Sequence, residues 1–552
     1  MLKEPKLMNL IFRALSIICI IGFSGKETAA QYISGVTIPD SSVTLNADSS
    51  DLSVKYANTI TARDLFNHLN ILASDEFEGR ETGTQGMELA ADYIAMQFKS
   101  MGLPAVGSEN RYFQDVFFNR TSWNENTLEI NGNTYRHLWD YVGYATLNDD
   151  MPDFESDEVL YLGYGIDDPN YSDYKGKNVS GRVIMINKGE PYSADSISYV
   201  SGTRTPSDWS RSIWPKLETA KANGVRMVLI IEDNLKGFLS NNRRFLVSPS
   251  LRLGRGDEEK DRFASHLYIS TKMARDIIGE QDKKLKKWRK INTKKGKSKA
   301  LGLQAKLNGS FKRNVELIEG YNVLGYIEGT DKKDELVVVS AHYDHLGKRA
   351  KDIYNGADDN GSGTSSVLEI AEALSLAKKD GKGPRRSVLC LLVTGEEKGL
   401  LGSEYYSENP IYPLEKTMVN VNVDMIGRTD KKYNTNTNYI YVIGSDRLST
   451  DLHYLNEQVN QDYSGLTLDY KYNNEKDPNR YYFRSDHYNF AKKGIPAIFF
   501  FSGVHEDYHR ITDTVDKIMF DKTEKVSRHI FHLIWELANK DEAIRLRDDL
   551  EK

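Results

Sequence analysis

Cysteine is almost missing from this chain. Its 552 residues contain two, Cys19 and Cys390, so neither a disulfide framework nor a cysteine-based zinc site can be assembled. An excess of one charge is missing too. The formal net charge of −6 gives no overall electrostatic footprint for nucleic acid. Long apolar runs are also scarce. The one near the start, LSIICIIGFSG, is short for a membrane span, so no stable span is expected. It follows Lys3, Lys6 and Arg13 and precedes small residues at Ala29 and Ala30, the pattern of a secretory signal over residues 1–30. Such a leader implies a secreted or periplasmic protein. Once it is removed only Cys390 remains, mid-strand in VLCLLV, where it reads as a small buried hydrophobe.

What is present is enough apolar residue, 39% against 28% charged, to build substantial cores. The length exceeds one ordinary core, so two domains are expected. Residues 31–58 are polar and read as a flexible lead-in. Residues 59–120 begin with two amphipathic helical patterns, ARDLFNHLNILASDE and QGMELAADYIAMQFKSMGL, separated by the turn EGRETGT. Residues 121–312 change to short β-rich runs (EVLYLGYGI, RVIMINKG, RMVLIIED, HLYIS) with one helix, WPKLETAKANG. No cluster of acids or histidines ends these runs, so the segment reads as an inserted domain without chemistry of its own. Its basic run at 283–299, with Trp288 inside it, reads as a solvated helix and loop. Over 313–540 strands and helices alternate, predicting a three-layer α/β domain with a mixed central sheet flanked by helices. Residues 541–552 are a tail.

Five hydrophobic runs within that last domain end in acids or histidines: LVVVSAHYDH, the turn GADDNGSG, VLCLLVTGEE, VNVNVDMIG and IFFFSGVHEDYH. Buried strands that deliver polar residues at their C-terminal ends are how an open α/β sheet builds a site. The histidine and carboxylate set suits two divalent metals, zinc best. His342 and Asp344 are two apart and share a face of an extended backbone. Asp344 would then accept the second N–H of His342 and fix its tautomer. Asp358 and Asp359 precede a glycine-rich turn that places a carboxylate centrally. Of the adjacent Glu396 and Glu397, one would bind metal and the other take a proton from water. Asp424 alternates away from the valine face of its strand. His505 and His509 compete as the last ligand, and Asp486 and His487 precede the final strand.

Taken together and in this order, these motifs resemble the co-catalytic di-zinc aminopeptidase family, which includes glutamate carboxypeptidase, the transferrin receptor and glutaminyl cyclases. The resemblance covers about 61–102 and 315–539, and the segment between resembles the protease-associated (PA) domain often inserted in such enzymes. It implies a zinc-exopeptidase fold, two zinc ions per chain and peptide substrates. It implies one zinc on His342 and Asp424, the other on Glu397 and His509, and Asp358 as bridge, with a cis peptide to Asp359. His509 is preferred because Tyr508, His509, Asp513 and Thr514 follow the family motif. The resemblance further implies Glu396 as general base, Tyr508 as oxyanion stabiliser, and Asp344, Asp359 and Asp486 behind the ligands. Arg484 and Ser502 fall where relatives contact substrate. Carboxypeptidase and receptor functions are the alternatives.

Overall fold

The computed structural model describes residues 51–547 apart from 248, 255–261 and 435. The signal-like segment and most of the 31–58 lead-in lie outside the described residues. The chain forms two compact units. The first joins the chain up to Gln114 to the chain from Asn322 onward, and the second is Asp115–Tyr321.

The lead-in does not stay irregular to residue 58. Helix α1 (Leu52–Ala57) is capped by Asp51, whose side chain accepts from the Ser53 N–H, and buries Val54 and Tyr56. Helix α2 (Ala62–Leu72) starts at Thr61, whose hydroxyl oxygen accepts from the Asp64 N–H, and turns Leu65, Leu69 and Leu72 inward. Helix α3 (Gln85–Ser100) follows, and Gly102, at φ +80°, takes the chain out of it.

The second unit opens with β1 (Phe113–Ile130) and continues with β2 (Met151–Tyr161), β3 (Val183–Asn187), α4 (Trp214–Ala222), β4 (Met227–Glu232), β5 (His266–Ser270), α5 (Asp282–Lys295) and β6 (Leu301–Ile327). Strands β2, β3, β4 and β5 are parallel neighbours, with β6 antiparallel against β2. Apolar clusters lie on both faces. Leu229, Leu267 and Ile269 belong to one and Ile184, Val228 and Ile230 to the other, as the two-residue period of a strand requires. The unit is β-rich, and four of its strands, β2 to β5, form a parallel layer. Its boundaries fall inside the long strands β1 and β6, so no linker composition marks them.

The first unit resumes with β7 (Lys332–His342), α6 (Gly363–Lys379), β8 (Arg386–Val393), β9 (Thr417–Val423), β10 (Tyr439–Ile443), β11 (Thr467–Asp469), β12 (Ala497–Phe501) and α7 (Phe520–Asn539). Its mixed sheet runs β11-β10-β12-β9-β7-β8-β6. The central strands β8, β7, β9 and β12 are parallel. Every residue of β8 and β12 is buried, because helices cover both faces. Cys390 is one of these buried residues, and burial raises its thiol pKa. On one side His532 of α7 meets Ser53 Oγ of α1 at 2.6 Å.

Candidate active site

Because β7, β8, β9 and β12 are parallel, their C-terminal ends open on one edge of the sheet. His342 ends β7, Glu396 and Glu397 follow β8, Asp424 follows β9, and His505 to His509 follow β12. The loop 357–362 before α6 supplies Asp358 and Asp359.

Asp359 occupies the centre of this group. Its Oδ1 is 3.4 Å from His342 Nε2, and its Oδ2 is 3.1 Å from His509 Nε2. Around the first oxygen, His342 Nε2 stands 3.5 Å from Asp424 Oδ1. Around the second, His509 Nε2 stands 3.0 Å from Glu397 Oε1. Asp358, expected as the bridge, is turned elsewhere. Its Oδ1 accepts from the Gly427 N–H at 2.6 Å, and its Oδ2 pairs with His505 Nε2 at 3.2 Å. The cis peptide joins Asp359 to Asn360, one bond later than expected. The Asp513 carboxylate gathers the N–H groups of both Asp358 and Asp359 at 3.1 Å, which fixes the loop and leaves the second aspartate facing the cluster. Asn360 ties it to β9 by donating to the Val423 carbonyl at 2.9 Å.

His342 Nδ1 lies 3.0 Å from the backbone carbonyl of Asp344 and 3.8 Å from its carboxylate. Nδ1–H therefore goes to the carbonyl, and Nε2 faces the carboxylates of the cluster. The Asp344 carboxylate accepts instead from Thr82 Oγ1 at 2.9 Å and the Glu396 N–H at 3.1 Å. Asp486 is fully buried and accepts from Ser403 Oγ at 2.6 Å. Ser485 Oγ, next to it, donates to Asp424 Oδ2 at 2.7 Å.

The pocket over the cluster is lined by His342, Asp359, Glu396, Asp424, Tyr508 and His509, with Arg484 beside them and an apolar wall of Met425, Phe499, Phe501 and Val504. The Tyr508 hydroxyl is 3.4 Å from the Arg484 guanidinium, and its ring stacks on His509 at 3.8 Å. Ser502, expected to touch substrate, does not line this pocket. It is fully buried, and its N–H donates to the Met425 carbonyl while its own carbonyl accepts from Tyr439.

Adjacent Glu396 and Glu397 are driven apart electrostatically. Burial raises Glu396 well above the usual carboxylate range; His342 opposes this, and Glu397, Asp486 and Asp424 add to it. Glu397 is buried equally, but His345 and His509 bonded to it hold its pKa well below that range. Two neighbouring carboxyls so separated can divide base and ligand roles. Burial disfavours a charged His342, yet Glu396 and Asp424 keep its pKa well above its usual value.

Three residues not anticipated complete the site. Arg80 is buried and donates to the carbonyls of Leu72, Tyr343, Asn355 (2.8 Å) and Gly356 (2.9 Å), clamping both loops that carry site residues. Thr82 holds Asp344 and also accepts from the Gly395 N–H at 3.1 Å. His345 is buried with Nδ1 at 3.0 Å from Glu397 Oε1. Its place in AHYDH at a strand end was a signal for it; nothing in EGRETGT distinguishes Arg80 or Thr82 from ordinary turn residues.

Donor atoms on one tetrahedral zinc at about 2.0 Å stand ~3.3 Å from each other. The 3.0–3.5 Å spacings around both Asp359 oxygens fit that, and Asp424 Oδ1 and Asp359 Oδ2 are buried without a hydrogen bond. Mixed imidazole and carboxylate donors without sulfur suit zinc.

Residues 322–534 match the model of peptidase family M28. That segment is similar to peptidase family M28. Among curated M28-like relatives, aminopeptidase YwaD of Bacillus subtilis is 28% identical over 225 residues, which is 38% of this chain and 43% of that protein. Aminopeptidase NAALADL1 of Rattus norvegicus is 34% identical over 144 residues, 23% of this chain and 18% of that one. The match thus spans less than half the length of either relative. Among solved structures, the aminopeptidase from Aneurinibacillus sp. strain AM-1 superposes with a TM-score of 0.52 at 18% identity, covering 91% of this chain and 98% of that one. At that identity the likeness establishes the fold, a mixed sheet between helix layers.

Proposed function

We propose that the chain is a secreted or periplasmic zinc exopeptidase, an aminopeptidase with two zinc ions that removes N-terminal residues from peptides. One observation carries the reading: Asp359 lies between two histidine–carboxylate pairs, His342 with Asp424 and His509 with Glu397. Two such ions, when bound, would supply a water that ionises near neutral pH and polarise the peptide carbonyl. Glu396 takes the proton of the attacking water and hands it to the leaving amine, a task suited to a carboxyl whose pKa lies above its usual range. Tyr508, at the pocket wall, donates to the oxyanion developing on the carbonyl. The apolar wall from Met425 to Val504 receives the terminal side chain. The second unit is read as a PA-like domain, whose removal would change substrate range and leave metal binding intact.

Arg484 in the same pocket favours a second reading, carboxypeptidase action, since an exposed guanidinium pairs with a terminal carboxylate. A panel of free and N-acylated peptides, with bound metal quantified, separates the two. Cleavage confined to free amino termini is expected. Release of C-terminal residues from blocked peptides would favour the carboxypeptidase, and no hydrolysis by fully loaded protein would overturn both.

A further inference from the structure

The second unit has a cavity of its own. Strands β2, β3 and β4 are parallel, and a recess of about 420 Å³ opens where they end. Tyr161 and Tyr164 come from the end of β2, Asn187 and Lys188 from the end of β3, and Asp233 follows β4. The C-terminal edge of parallel strands is where open α/β sheets take ligands. The volume lies within the range of small-ligand pockets, ~300–1,000 Å³.

The far wall is the basic helix α5 and the segment after it, which contribute Trp288, Arg289, Asn292 and Lys299. Ten of the seventeen residues from 283 to 299 are lysine or arginine, and none is acidic. Most of this run faces water, as a solvated helix should, but Trp288 packs against the apolar core and brings its neighbours to the cavity. The cations there are positioned. The Arg289 guanidinium lies 5.6 Å from the centre of the Tyr161 ring, Lys299 Nζ lies 5.8 Å from that of Trp288, and Lys188 is held by Glu232 at 2.7 Å. Asp233 is the one carboxylate in the lining.

We propose that this cavity binds an acidic peptide segment. Three cations meet its carboxylates, the tyrosine and tryptophan faces take its apolar or aromatic side chains, and Asn292 Oδ1, buried without a hydrogen bond, accepts from a peptide N–H. A nucleic acid or sulfated glycan would need an extended basic groove that follows its backbone. This recess is a bounded pocket lined by the rings of Tyr161, Tyr164, Tyr192 and Trp288, with room for a short segment only.

The test is calorimetric titration of the full-length protein with acetyl-Glu-Asp-Tyr-Glu-amide, which has no free end for an exopeptidase. Controls are acetyl-Gln-Asn-Tyr-Gln-amide, inorganic phosphate and heparin. The acidic peptide is expected to bind at least about tenfold more tightly than its neutral counterpart. Combined Lys188→Gln, Arg289→Gln and Lys299→Gln substitutions, all at exposed positions, should weaken it by about the same factor, and higher salt should weaken it further. Equal binding of the neutral peptide, or unchanged affinity in the triple variant, would overturn the proposal. So would heparin or phosphate binding through these three residues while the acidic peptide does not. No hydrolysis is read, so the result stands apart from the exopeptidase assignment.

Discussion

His505 Nε2 lies 3.2 Å from Asp358 Oδ2, and neither side chain reaches solvent. The pair closes on itself next to the metal-competent cluster, and it contains the two residues that most resembled ligands without sharing the cluster's centre. Asp359→Asn is therefore expected to cost metal at both positions. Asp358→Asn should retain two ions at saturating zinc with affinity lowered about 10–100-fold, as for an outer partner. Metal analysis across a zinc titration checks this; an Asp358 variant that is emptied while the Asp359 variant stays loaded would reverse the assignment.

Glu396→Gln removes the proposed proton acceptor and preserves its shape. Zinc content should match the parent protein while kcat falls by about 10²–10⁴-fold. Turnover within about twofold of the parent would remove Glu396 from the mechanism.

Arg80→Ala should destabilise the first unit by about 4 kcal/mol, because four buried carbonyls lose a charged donor at once. Burial lowers the Arg80 pKa only to about 10, with Asp513, Asp344 and Asp359 opposing, so it is cationic at neutral pH. A shifted denaturant midpoint with unchanged slope is the readout. An effect under about 1 kcal/mol would mean water replaces the guanidinium.

His529 is buried in α7 against Ser464 Oγ at 3.0 Å and Asn456 Oδ1 at 3.1 Å. Burial, with His532 and Lys525 adding to it, lowers its pKa from 6.5 to about 3. An unfolded chain takes up this proton first. The stability contribution is thus fully present above pH 6.5 and drains away as pH falls toward 3, by up to ~1.4 kcal/mol per pH unit. His529→Gln should flatten the fall in unfolding free energy between pH 6.5 and 4 relative to the parent. Parallel curves would show that another group titrates there.

The site's scaffold was legible because buried parallel strands read as runs of valine, leucine and isoleucine, and a histidine or acid at the end of such a run is out of place unless used. His342, Glu396, Glu397, Asp424 and His509 were all visible this way. Choosing between Asp358 and Asp359 was not possible by pattern, since the direction of adjacent side chains in a loop is set by Asp513, far along the chain. Ser502 follows a strand as the ligands do, but the Met425 backbone covers it. Helix α1, LSVKYA, is too short to show a helical period in the sequence and packs on α7. The cavity of the second unit was hidden because two of its strands end in tyrosine and asparagine, and the acids ending the third, Glu232 and Asp233, have no acid or histidine cluster beside them.

Arg80 reaches carbonyls 275 and 276 positions later, with the entire second unit encoded between them. At ~5–20 residues per second, a ribosome delivers Asn355 and Gly356 about 15–55 s after the arginine that will hold them. Helices α2 and α3 must wait, unpaired with their sheet, while the whole of Asp115–Tyr321 is synthesised. A gene fragment beginning at Asn322 would encode the recognisable peptidase segment without the residue that sets its loops.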